Sequence, residues 1–242
     1  MLEDRRLLST APGLEMVANG AIQLFSTSTA LFVENQGQWS DETVRYGFNG
    51  NGVNIAFTDD GLAFHLARRE VIDGVVTDHE QFQHDLEMEP FDRFEDQDDY
   101  ITHSTQFTVA FDSAHAVTPV GRQRAETYFN YYIGDQSNWA SNVPGYEIIA
   151  YENLYDGIDL HTFGRRDSLK YEFYVAPGAD YSQISISYAG IDGLWIDDAG
   201  TLHIPTELGE LVDDAPYIYQ TIDGQQIEVD GQFMLVDANT YT

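Results

Sequence analysis

The chain has 242 residues, 43% hydrophobic and 13% aromatic, enough apolar content to bury roughly 70–75% of its unfolded surface, which excludes a disordered polymer. Eleven basic against 41 acidic side chains leave a formal charge of −30, with Lys170 the single lysine, and a potential of that sign repels nucleic-acid phosphates and anionic lipid. The absence of cysteine removes disulfide frameworks, thiolate metal sites and cysteine nucleophiles, and no run of about 18 apolar residues offers a membrane span.

Residues 1–30 are read as a leader that stays poorly ordered outside the folded domain. Within it and just beyond, residues 21–33 are short, interrupted by Gln, Ser and Thr, and lack a basic cluster before them, so they read as an approach loop and first strand rather than a signal peptide. Period-two alternation then predicts strands at 44–48, 52–57, 61–66, 105–111, 127–133, 146–151, 158–163, 168–175, 184–188, 193–196, 201–206, 209–213, 216–221, 225–229 and 231–236. Turn residues that tolerate positive φ separate them, among them Asn49-Gly50, Asp60-Gly61, Asp223-Gly224 and Asp230-Gly231. Residues 137–141 and 180–183 each suit one helical turn, and Pro144-Gly145 and Pro177-Gly178 are expected to end or redirect strands. Between 68 and 104 the composition turns to Asp, Glu, Gln and His, which predicts a solvated surface insertion with its most acidic run at 92–99. The expected fold is all-β: an antiparallel β-sandwich or packed multi-sheet domain built from serial hairpins over residues 31–242.

The chemistry-bearing residues do not converge on a reaction. The seven histidines are scattered, with His79 and His84 five apart in the acidic segment, and no HExxH spacing is present for zinc. Asp-rich turns at Asp96–Asp99, Asp197-Asp198 and Asp213-Asp214 keep calcium as a candidate cofactor, but none is an EF-hand loop and turn chemistry is the favoured reading. Glu34, Glu147, Asp159 and Glu172 can be nominated as glycosidase carboxylates, as can many others, and no G-x-S-x-G elbow occurs. No catalytic or cofactor residue is therefore assigned. Trp39, Trp139 and Trp195 with Tyr128, Tyr131, Tyr132, Tyr151 and Tyr155 offer the materials of a sugar-stacking face, although alternation favours packing roles for them.

Five ordered blocks carry a family likeness. They are Phe32-Val33-Glu34-Asn35-Gln36-Gly37-Gln38-Trp39; Tyr131-Tyr132-Ile133-Gly134 with Trp139 and Val143-Pro144; Tyr155-Asp156-Gly157-Ile158-Asp159-Leu160; Leu169-Lys170-Tyr171-Glu172-Phe173 followed by Val175-Ala176-Pro177-Gly178-Ala179-Asp180; and Pro216-Tyr217-Ile218-Tyr219-Gln220. Together they resemble a bacterial domain of unknown function found near the N-terminus of large surface proteins, commonly ahead of SBBP-type β-propeller repeats. Tyr132 stands where that pattern has Phe, and Glu172 where Asp is commoner. Leu2-Glu3-Asp4-Arg5-Arg6-Leu7-Leu8-Ser9 resembles the LEPR-XLL element of exported planctomycete proteins, with Asp4 in place of Pro. The resemblance implies an extracellular or cell-surface, non-enzymatic structural or interaction module, whose partners are other domains of its parent chain and a glycan or cell-surface protein. The alternative is a carbohydrate-binding or glycan-processing domain. It also implies a further strand beyond Thr242, so that the domain is expected to be cut short.

Overall fold

The computed structural model describes residues 5–8, 15–17, 31–50, 52–71, 100–165 and 168–242. These form strands β1 (Arg5–Leu8), β2 (Glu15–Val17), β3 (Phe32–Glu34), β4 (Val44–Asn49), β5 (Val53–Thr58), β6 (Gly61–Val71), β7 (Tyr100–Phe111), β8 (Val120–Tyr131) and β9 (Ala140–Tyr155). They continue as β10 (Ile158–Arg165), β11 (Ser168–Val175), β12 (Ile186–Ala189), β13 (Trp195–Ile196), β14 (Leu202–Thr206), β15 (Gly209–Asp213), β16 (Tyr217–Ile222), β17 (Gln225–Val229) and β18 (Thr240–Tyr241). The two helical segments among the described residues are single 3-10 turns, Gln136–Asn138 and Tyr181–Gln183. Asp135 and Asp180 cap them by accepting the N–H of Ser137 (2.9 Å) and Ser182 (3.0 Å).

All pairings are antiparallel. Thirteen strands run in the order β17-β16-β1-β11-β10-β9-β3-β4-β5-β6-β7-β12-β18 with β8 branching from β9, and β13-β14-β15-β2 make a second, smaller sheet. The large sheet curls so that the inner faces of β5–β7 and β9–β11 close on one interior. Phe111 meets Tyr151 at 5.3 Å and Phe32 meets Phe57 at 5.1 Å, both edge to face. The Tyr151 hydroxyl crosses the interior to the carbonyls of Thr58 (2.9 Å) and Gly61 (3.0 Å). Leu202, Ile204 and Leu211 of the small sheet join the same core. Strand alternation builds it: β5 buries Val53, Ile55 and Phe57, and leaves Asn54 exposed.

Four expectations need revision. Arg5–Leu8 and Glu15–Val17, expected in a loose leader, are strands: β1 pairs with β11 and β16, and β2 with β15. The ends of the acidic insertion are also strand, because the β6–β7 ladder continues through Arg68↔His103 to Val71↔Tyr100; residues 72–99, with their acidic run, lie outside the described residues. Pro144-Gly145 does not redirect the chain but lies inside β9, where Pro144 faces Tyr128 at a register shift that dispenses with its missing N–H. Residues 231–236 contain no regular strand; instead Thr240–Tyr241 pair with β12, Met234 and Thr242 exchange backbone hydrogen bonds of 2.9 Å each, and Phe233 and Tyr241 are buried. Of the twelve C-terminal residues, Phe233, Thr240 and Tyr241 are buried.

Candidate functional site

The first sequence block becomes a loop after β3 whose side chains bond to its own backbone. Asn35 organises it: Nδ2 donates to the carbonyls of Val44 (2.9 Å) and Asp41 (3.2 Å), and Oδ1 accepts the N–H groups of Gly37 (3.0 Å) and Trp39 (3.4 Å). Gln38 ties the other side, donating to the Glu34 carbonyl (2.6 Å) and accepting from the Gln36 N–H (2.7 Å). Gly37 supplies the left-handed residue, φ +98°, that lets the chain double back. The Glu34 carboxylate accepts the Tyr146 hydroxyl at 3.3 Å. The result is a half-buried Trp39 placed over β4, where Gly47 makes room for it. A Cβ on Gly47 would lie 2.6 Å from the far end of the indole's six-membered ring, so the ring stands on that edge against the sheet.

From Trp39 a groove of about 510 Å³ runs over the outer face of the large sheet. Its size falls within the range of small-ligand sites. The floor is a cross-strand row set by the register Gly47↔Ala56, Ala56↔Ala63, Ala63↔Thr108 and Thr108↔Ala189, one small residue on each of β4, β5, β6, β7 and β12. The next outward row forms one wall: Asn49↔Asn54, Asn54↔His65 and His65↔Gln106. Asn54 Nδ2 and His65 Nδ1 are 3.3 Å apart, so the wall is a line of neutral donors and acceptors. Asn49, Asn54, Gln106 and Thr108 are all exposed.

The other aromatic residues do not extend this surface into one face. Tyr131 packs its ring against Trp39 at 6.0 Å, and its hydroxyl is pushed up by burial. Tyr132 packs on Trp139 at 5.5 Å. Tyr132 follows the last residue of β8 and Trp139 precedes β9, so this second pair sits at the tip of the β8–β9 hairpin, which turns at Gly134 (φ +76°). Tyr151 and Tyr155 are core residues, and Trp195 lies on the small sheet, stacked on His203 at 3.6 Å.

The remaining block residues hold turns and core elsewhere. Asp159 accepts the Asn153 N–H at 2.6 Å beside the Gly157 turn (φ +72°), and Gly178 (φ +84°) follows Pro177 in the turn before Asp180. Tyr171 is locked inside, donating to Asp213 at 2.5 Å and lying 3.1 Å from the Tyr241 hydroxyl; burial first, then the Asp213 charge, pushes its hydroxyl far up. Tyr219 is buried in β16 and Gln220 follows it. The Asp197 turn is held by its own backbone, accepting from Ala199 and Thr201 at 2.9 Å each. Among the described residues no three His, Asp or Glu side chains are grouped to hold a metal ion. No helix there is long and apolar enough to cross a membrane.

Sequence reasoning reached Trp39 and its loop but missed the groove. Its signal lay in the outward positions of the amphipathic strands β5–β7, which read small or amide where solvent-facing strands usually carry charge.

The fold and the site define an antiparallel all-β domain with an uncharged groove open on one sheet face. The chain belongs to the family described as the domain of unknown function DUF7948, whose model matches residues 32–242. No curated protein and no solved structure matches it.

Proposed function

We propose that this domain is a non-enzymatic, extracellular interaction module of a larger bacterial surface or secreted protein, and that the groove ending on Trp39 is its recognition face. The observation that carries the reading is the Trp39 loop, where the side chains of Asn35 and Gln38 and a left-handed glycine hold one half-buried tryptophan at the mouth of an open groove. The charge of −30 is compatible with a salty exterior, where screening shortens its reach. The likeness of the sequence blocks to domains preceding SBBP-type repeats, and of residues 2–9 to the LEPR-XLL element, supports the same setting and makes further domains of the parent chain its neighbours. Cell fractionation with an antibody to the domain is expected to find it outside the cell, and turnover of chromogenic glycosides, esters and peptides is expected to stay at background. Retention in the cytoplasm, or turnover abolished by a single carboxylate substitution, would overturn the reading.

A further inference from the structure

The groove's chemistry narrows what it recognises. We propose that it binds a linear neutral polysaccharide, laid across β5, β6, β7 and β12 with its end sugar ring against the Trp39 indole that stands over β4; this rests on the groove being the recognition face.

Charge decides between polymer classes first. The rows that form the floor and the wall contain no Asp, Glu, Lys or Arg, so nothing in them pairs with a charged polymer, and the net −30 of the chain repels polyanions such as uronic-acid chains or nucleic acid. What the wall does supply is a file of hydrogen-bonding groups, Asn49, Asn54, His65 and Gln106. That is the complement of sugar hydroxyls, which both donate and accept.

Shape separates a glycan from a peptide. The groove lies on a sheet face rather than at an edge, and β4, β5, β6 and β7 are each paired on both sides. A peptide there finds no free backbone groups to extend the sheet, the source of affinity in strand addition. A polysaccharide needs none. With Trp39 standing over Gly47, the open floor runs from Ala56 to Ala189, and three strand spacings of about 4.8 Å make it ~14 Å long, room for roughly three pyranose rings in line. The floor residues Ala56, Ala63 and Ala189 keep it low enough for flat rings to settle. Trp39 presents an indole at the β4 end, a rigid apolar surface for the C–H face of a pyranose that costs little conformational entropy to use.

The test is titration calorimetry of the full chain with linear hexasaccharides of glucose, mannose, xylose and N-acetylglucosamine, and with polygalacturonate as the anionic control. At least one neutral hexasaccharide is expected to bind saturably, with Trp39→Ala lowering affinity by about tenfold or more and Asn54→Ala by about fivefold. Ala63→Phe, which fills the groove from the floor, should abolish binding with the thermal midpoint retained, and Trp195→Ala should bind as the unaltered chain does. Polygalacturonate bound in preference, or neutral binding untouched by both Trp39→Ala and Ala63→Phe, overturns the proposal. A random peptide library displayed on phage separates the two levels of the argument: if no sugar binds but peptides are captured in an Ala63→Phe-sensitive way, the recognition face stands and the glycan assignment falls. If neither sugar nor peptide binding depends on the groove, both fall.

Discussion

Strands β5, β6 and β7 carry two unlike surfaces on one backbone. Inward they present Ile55, Phe57, Leu62, Phe64, Phe107 and Val109, all buried; outward, at the alternate positions, they present Asn54, Ala56, Ala63, His65, Gln106 and Thr108. The inner set is large and apolar and fills the interior, with Phe64 and Phe107 stacked at 4.6 Å. The outer set is small or neutral and polar and leaves a groove. The buried core and the proposed recognition face thus lie on opposite sides of the same pleat, one residue apart, so substitutions on the two sides should have separable effects.

The largest separation is expected at Phe64. Phe64→Ala removes a ring from between Phe107 and the core and should cost about 3–5 kcal/mol in denaturant unfolding, by lost burial plus the cavity left behind. A loss below about 1 kcal/mol would show that the interior collapses around the gap and that the inner face does not hold the fold.

Alkaline pH tests the same interior through its hydroxyls. Burial raises the Tyr155 hydroxyl to about 12 and pushes Tyr151, Tyr171, Tyr188 and Tyr241 upward as well. A group raised in the folded state favours folding fully below its unfolded value and loses that contribution above it, so stability should hold up to about pH 10 and then fall as pH rises toward the folded values. Thermal midpoints are expected to drop above that point while tyrosinate absorbance rises. Ionisation of all fifteen tyrosines in a protein that stays folded would mean that these buried hydroxyls are open to water.

Gly47 lies where the two surfaces trade against each other. Gly47→Ala places a Cβ 2.6 Å from the Trp39 ring, which the Asn35 loop does not let swing freely, so a cost of about 1–2 kcal/mol is expected. In a background with Trp139 and Trp195 changed to Phe, tryptophan emission should shift to the red as Trp39 lifts into water. An unshifted spectrum would show that Trp39 does not rest on Gly47.

The smallest effect belongs to the wall. Asn54→Ala should change stability by no more than about 0.5 kcal/mol, since its side chain is exposed and its one close partner, His65, is a neighbour on the same open face. A loss comparable to that of Phe64→Ala would make the wall part of the core.

The sequence by itself determined the all-β class and the hairpins whose alternation is regular, and it marked Phe32–Trp39 as a family-like block without showing that Asn35 and Gln38 hold Trp39. Strands β10, β11 and β17 begin where expected because Ile158, Leu160 and Thr162, or Leu169, Tyr171 and Phe173, alternate with outward residues on a simple period of two. Asp180 announced its helical turn by the Asp-x-Ser spacing that it uses. The full extents of β8 and β9 were not legible, because bulges between Arg124 and Tyr128 and between Phe129 and Tyr131 break the period, and Pro144 is tolerated only where its neighbour's register slips. The groove was not legible either. Gly47, Ala56, Ala63, Thr108 and Ala189 are unremarkable one at a time and spread over more than 140 positions of chain, from 47 to 189. They form a floor only because four strand registers place them in one row, and register is decided by which hydrophobic faces must be buried against each other, a tertiary condition that no local stretch of sequence contains.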